Sequence, residues 1–410
     1  MFNQIKTASF LFLFIQQVSS QGIQNSFNIG SLKHMNGSQA LEHGILPNFR
    51  YDISLRNPAT WPKLKFTQLS LNYKGFENSS EEDNIISGLS IGKIIVPFKN
   101  NSAIGISLEP YSDQNIIFND SLVLTEIIFG DSLQTSREYI REGGLFSFQT
   151  GFGRIINNKI SVGFNLNYIF GSSRDSEKFV VDQISTIGKY RYNYSGVLFQ
   201  GFTNYYPNKN TGIFFSFKSP FRDLKTIFQR YHLFEDINGN GYHDNYGDFP
   251  NLIDVRLPSQ IDLKQVVHKP KEFIFGVERK LFNMASLNAQ ISGYEDAGEL
   301  NKNYDNENNR MINSSKSLSI GLMKFSNQLS SSFYDKFIIR LGLDYREAII
   351  SSEIPVTEFR YSLGISYKFK SLSNQIDFNY SGGNRLYEKN YDNETFQQLQ
   401  VGITIADLWF

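Results

Sequence analysis

The residues whose types and spacing most resemble a chemical site are Asp236-Ile237-Asn238-Gly239-Asn240-Gly241-Tyr242-His243-Asp244, followed by Asn245, Tyr246, Gly247 and Asp248. Oxygen-bearing side chains at the first, third, fifth and ninth positions, with glycine at the sixth, match the opening of an oxygen-ligand calcium loop. The Tyr242 carbonyl would serve at the seventh. The twelfth position is Gly247, where a bidentate carboxylate belongs, so Asp248 or Glu235 would have to replace it. Asp236, Asn238, Asn240, Tyr242, Asp244 and Asp248 are therefore candidate ligands for a structural Ca2+; the alternative is a hydrophilic Asn/Gly/Asp turn cluster.

Other chemistry is poorly supplied. The chain has no cysteine, which removes thiol nucleophiles, thiolate metal sites and disulfides together. Its five histidines are His34, His43, His232, His243 and His268, and none falls in a strand-patterned stretch beside a plausible serine and acid. Each is expected in the N-terminal segment or a loop, and no enzyme is expected. Forty basic against forty acidic side chains argue against nucleic acid as a partner, because phosphate neutralisation needs an excess of Lys and Arg. One further set is positional. Arg340, Asp344, Arg346, Arg360 and Lys368 all occupy the polar phase of an alternating pattern, where they would either meet the head group of an amphipathic cargo or pair with a plug.

That pattern has period two from about residue 64 onward, the period of a strand with two unlike faces. Phe359, Tyr361, Leu363, Ile365, Tyr367 and Phe369 alternate with Arg360, Ser362, Gly364, Ser366, Lys368 and Lys370. Ile160, Val162, Phe164, Leu166, Tyr168 and Phe170 alternate with Ser161, Gly163, Asn165, Asn167 and Ile169. Strands of ten or more residues, apolar on one face and charged on the other, are what a transmembrane barrel requires. Closure follows, because an open edge in lipid would strand backbone hydrogen-bonding groups. The pattern predicts an all-β transmembrane antiparallel barrel of about fourteen strands, at roughly 64–76, 83–97, 103–117, 138–155, 160–171, 186–205, 211–219, 271–280, 284–294, 315–326, 335–350, 356–370, 374–383 and 395–410. Connections after even strands are short; those after odd strands include long ones at 118–137, 172–185, 220–270 and 295–314, as expected of periplasmic turns and external loops. Both termini would then lie in the periplasm.

Residues 1–20 read as an export signal: Lys6, then the apolar run Phe10 to Ile15, then Val18 and Ser20 as the small residues before a cleavage site. The abundance of Phe and Tyr, 37 and 22 residues, beside a mean hydropathy of −0.32, suits a barrel that turns aromatics to lipid and polar groups inward.

Residues 21–63 lack the strand period and end in Leu55-Arg56-Asn57-Pro58-Ala59-Thr60-Trp61. With Asn57-Pro58-Ala59 just before the first strand, and Trp409-Phe410 closing the last, the layout resembles the FadL-type outer-membrane transport family, whose relatives include PorV-like components of protein secretion. The resemblance implies a fourteen-stranded barrel with residues 21–63 as an N-terminal hatch and 64–410 as the barrel. It implies passive transport of hydrophobic or amphipathic compounds such as fatty acids, and Trp409 and Phe410 as the signal read by the barrel assembly machinery. The alternative it carries is a non-enzymatic part in a secretion or surface-attachment complex. Where the family has a small-residue stretch before Asn-Pro-Ala, this chain has Asn36-Gly37-Ser38-Gln39-Ala40-Leu41-Glu42-His43-Gly44.

Overall fold

A computed structural model describes residues 29–32, 54–79, 83–128, 131–181, 184–243, 248, 265–282, 284–298, 314–327, 330, 332–350, 354–369, 374–388 and 393–407. The export signal, Asn36 to Gly44, His34, Asp244, Trp409 and Phe410 lie outside these residues.

The chain begins with a two-residue strand β1 (Ser31–Leu32) and a 3-10 turn, Pro58–Lys63. There follow β2 (Thr67–Ser79), β3 (Asp83–Phe98), β4 (Ser102–Asp113), β5 (Ile116–Ile128), β6 (Asp131–Ile155), β7 (Ile160–Val181), β8 (Ile184–Asn208) and β9 (Thr211–Asp236). The second half comprises β10 (Gln265–His268), β11 (Pro270–Phe282), β12 (Ala285–Asp296), β13 (Ser314–Lys324), β14 (Phe337–Ile350), β15 (Ile354–Phe369), β16 (Asn374–Tyr387) and β17 (Glu394–Asp407). All pair antiparallel with their neighbours. β17 pairs with β2 from Thr395↔Ser79 to Asp407↔Thr67, which closes the cylinder. β4 and β5 both pair with β6 and together make one wall strand, while β10 extends the rim beside β11, so the wall counts fourteen strands.

Alternation holds around the wall. Leu363, Ile365, Leu341, Leu343, Ile403 and Phe275 are exposed outward, whereas Ser70, Asn72, Gln149, Asn165, Gln400 and Thr404 are buried inward. The outward set forms the belt that faces lipid.

One part of the sequence expectation fails. Within the stretches expected as loops at 118–137 and 172–185, residues 118–128, 131–137, 172–181 and 184–185 are β-ribbon, and 220–236 is the continuation of β9. β6 has 25 residues and β9 has 26, more than twice the roughly 9–11 that a span needs. The physical reason is that beyond the lipid belt both faces of a ribbon meet water. The two-residue hydropathy signal disappears there, although the backbone ladder continues.

Candidate functional site

The N-terminal segment enters the barrel through Asn57-Pro58-Ala59. Asn57 is buried; its side-chain oxygen accepts from the Ala59 N–H at 3.0 Å and its amide donates to Asn204 Oδ1 on β8 at 3.0 Å. The first bond caps the 3-10 turn, and Pro58 at its first position costs no donor that the turn would use. Trp61, wholly buried, donates from Nε1 to the Ser54 carbonyl at 2.9 Å. The wall beneath is made of glycine. A Cβ on Gly105 or Gly151 would lie 2.6 Å from the Trp61 ring, and one on Gly153 or Gly163 would strike the Pro58–Ala59 backbone. Lys93 lies under the indole, 4.8 Å from the ring, and donates to Gln149 Oε1 at 2.5 Å with Glu109 at 3.8 Å. Arg56 reaches Glu272 at 3.6 Å, which also pairs with Lys218 at 3.5 Å. Asn57-Pro58-Ala59 is thus a capped turn locked into the wall.

Above this plug the wall is interrupted. β2 and β3 pair along their length, but β3 and β4 pair only over Gly92–Phe98 and Ser102–Leu108. From there β4 bulges between Pro110 and Ser112 and stays with β6, and the strand breaks at Gln114 and Asn115. Proline inside a strand, with no N–H to give a ladder, marks an edge or a bulge; Pro110 was the sequence signal for this break. Asn115 holds the bend by accepting from the Gly143 N–H at 2.9 Å.

Inside the wall beside the break is an apolar chamber of Tyr111, Leu145, Ile169, Tyr192, Leu198 and Leu224 with their neighbours. Ile169 is the one apolar member of an otherwise polar or glycine inward set, which is the trace of this chamber in the sequence. The chamber is occupied by the chain's own Ile29. The next residue, Gly30, has φ +77°, and a Cβ there would lie 1.9 Å from the Asp113 carbonyl oxygen; Ser31 and Leu32 then pair with Asp113 and Ser112 at the free edge of β4.

The chamber roof contains a histidine that departs from expectation. His268 lies in β10, completely buried, with Tyr111 Oη 2.6 Å from Nε2 and Asp296 Oδ2 2.5 Å from Nδ1. His232 also lies on a strand, β9. Both were expected in loops, because the strands that carry them extend past the belt where the pattern fades. Burial acts to raise the Asp296 carboxyl, but His268 and the Lys269 and Gly298 N–H groups outweigh it and hold it below its usual range. Tyr111 is itself buried, so the three-residue chain ties β4, β10 and β12 together.

Three inward arginines of the second half pair with carboxylates. Arg340 lies 3.8 Å from Asp377. Arg360 binds Glu358 at 2.6 Å, Arg385 joins Glu358 at 2.8 Å, and both guanidinium groups stack on Phe396 at 4.7 Å. Asp344 accepts from Ser319, Arg346 donates to Ser315 at 3.2 Å, and Lys368 is half-buried in the same inward phase.

In the Asp236 segment the oxygens serve the backbone. Asp236 accepts from Asn240 N and Gly241 N at 3.1 and 3.0 Å, Asn238 from Asn240 N, and Asn240 from Tyr242 N at 2.7 Å. Asp248, also buried, accepts from Ile237 N at 3.1 Å, which brings both ends of the segment together. Lys189 takes the Gly241 carbonyl at 2.6 Å. Among the described residues, no three His, Asp or Glu side chains gather as a metal site.

Comparison with known proteins agrees with this geometry. The family model described as BamG matches residues 1–410. Among solved structures, a FadL homologue of Pseudomonas aeruginosa has a TM-score of 0.54 at 12% identity, covering 92% of this chain and 98% of that one. CymD, a monoaromatic hydrocarbon channel, scores 0.51 at 12% identity, covering 93% and 99%. A deltaS2 mutant of TodX, another monoaromatic hydrocarbon channel, scores 0.50 at 11% identity, covering 94% and 99%. At these identities the likeness is one of fold: a FadL-type barrel. No curated protein matches the chain.

Proposed function

The chain belongs to the BamG family, and from that premise we propose that it is a bacterial outer-membrane barrel that passes small apolar or amphipathic molecules, such as fatty acids, without enzymatic chemistry. The observation that carries this reading is the apolar chamber behind the break between β3 and β4, filled by Ile29 of the N-terminal segment. A cargo would replace Ile29 against Tyr111, Leu145 and Ile169, and the break would offer it a path to the lipid belt. The likeness in fold to hydrocarbon channels supports this reading. The lumen charges bear on it too. Because Arg340 and Arg360 already have carboxylate partners, they hold the wall, and the cargo is selected by apolar surface rather than by a head group.

In this reading the rim of short turns faces the periplasm with both termini, residues 21–63 act as the hatch, and Trp409-Phe410 engages the barrel assembly machinery. The test is uptake of a labelled long-chain fatty acid and a labelled aromatic hydrocarbon by cells carrying the full chain or one lacking residues 22–56. Uptake should depend on the protein and change on deletion. Uptake equal to that of cells without the protein would overturn transport.

A second reading, a non-enzymatic part of a secretion or surface-attachment complex, is favoured by the long ribbons of β5 to β9, which project far past the belt. It predicts partners that co-purify through those ribbons and are lost when they are shortened.

A further inference from the structure

The chain is neutral overall, but its charge is divided by rim. At the rim of short turns stand Lys99, Arg154, Lys159, Lys209 and Arg279, all exposed, against the surface carboxylates Asp335 and Asp407. None of those five cations pairs with a described carboxylate. The opposite rim is mixed in sign: Arg137 pairs with Glu177 and Lys269 with Asp223, both at 3.7 Å, and Glu235, Glu295 and Glu347 are exposed there as well. An excess of cations over carboxylates at the short-turn rim leaves a positive potential that attracts anions.

On the outer, lipid-facing side of that rim lies a cavity of about 690 Å3, lined by Phe152, Phe164, Phe199, Phe215 and Phe217, with Arg154 at its edge. It exists because Gly201 sits outward among these rings with no side chain to fill the space. Phe164 and Phe199 stack at 6.3 Å along one side. Lys159, on the turn that follows β6, stands at the same edge of the belt.

We propose that this groove is a binding site for an anionic phospholipid, with an acyl chain over Gly201 between the phenylalanines and the phosphate against Arg154 and Lys159. Aromatic rings at the interface, with cations one step further into water, are the arrangement that holds a head group and chain together. The rest of the basic rim adds long-range attraction for the same leaflet. The proposal rests on the reading that the short-turn rim faces the periplasm, where the phospholipid leaflet lies, but the site itself is testable without it.

Native mass spectrometry of the full-length protein in detergent, with equal phosphatidylglycerol and phosphatidylcholine added, is the experiment. Wild type should retain phosphatidylglycerol preferentially. Arg154→Gln and Lys159→Gln should each lower that retention about fivefold, and Arg154→Lys should restore it. Gly201→Leu, which fills the groove and leaves every charge in place, should lower retention of both lipids. Equal retention of the two lipids by wild type, or indifference to both charge variants, would overturn the proposal. So would binding of soluble polyglutamate through the same cations without lipid binding, since that would mark a surface for an acidic protein. Because the measurement is made in detergent, a wrong membrane orientation would leave its result unchanged and is detected separately by labelling intact cells.

Discussion

Trp61 concentrates the residue-scale argument. It is buried on a floor of glycines, with its indole N–H satisfied and an ammonium group beneath its ring. Replacing a buried tryptophan by alanine costs about 3–5 kcal/mol, and here the loss falls on the seating of the plug rather than on the closed ladder. Trp61→Ala should therefore leave a folded, heat-resistant barrel whose single-channel conductance in planar bilayers is raised; unchanged conductance would mean that the plug is held elsewhere. The Asp236 segment gives a second prediction. Its oxygens already accept backbone N–H groups, as they would around an ion, and we propose a structural Ca2+ there, bound against competition from Lys189. Calorimetry should give a calcium heat that Asp236→Ala abolishes, and no difference between the two proteins would end the idea.

At the scale of elements, the unusual object is β1. Two residues of strand would be negligible alone, but Ile29 and the left-handed Gly30 immediately before them fix them to the bare edge of β4. An unpaired edge is a standing invitation to backbone pairing, and the chain answers it with its own N-terminal segment. Leu32 and Ser112 are direct partners across this pair. In a chain without native cysteine, Leu32→Cys with Ser112→Cys should form a disulfide that blocks uptake and is reversed by reductant. Uptake that continues with the bond formed would show that β1 need not move. Pro110 and Ile169 are the traces of this region in the sequence, one as a strand breaker and the other as an apolar intruder in an inward phase, but the pattern predicts one strand over 103–117 and neither residue alters that expectation. Their meaning depended on which strand lay opposite, and that is not a local property.

At the scale of the whole molecule, orientation follows from the inequality of the two rims. Short turns such as 157–159 would face the periplasm and the β6 to β9 ribbons the outside. Asn157→Cys and Asn238→Cys should divide cleanly when intact cells are treated with a membrane-impermeant maleimide, only the second being labelled. Labelling of Asn157→Cys alone would invert the barrel and the hatch with it.

The sequence by itself determined that this chain is a transmembrane barrel of fourteen strands with an irregular plug. That information is local, since each lipid-facing strand must alternate every two residues wherever it lies in the wall. It also placed Arg340, Asp344, Arg346, Arg360 and Lys368 on the inner face, for the same reason. Only the tertiary structure decided what those inner groups meet. The barrel closes β17 on β2 across more than 300 residues, and it brings Ile29 into a chamber of β4 to β10, His268 between Tyr111 and Asp296, and a set of unpaired cations onto one rim. These juxtapositions come from register and closure, which depend on the sum of all the strand pairings and leave no period in any one of them.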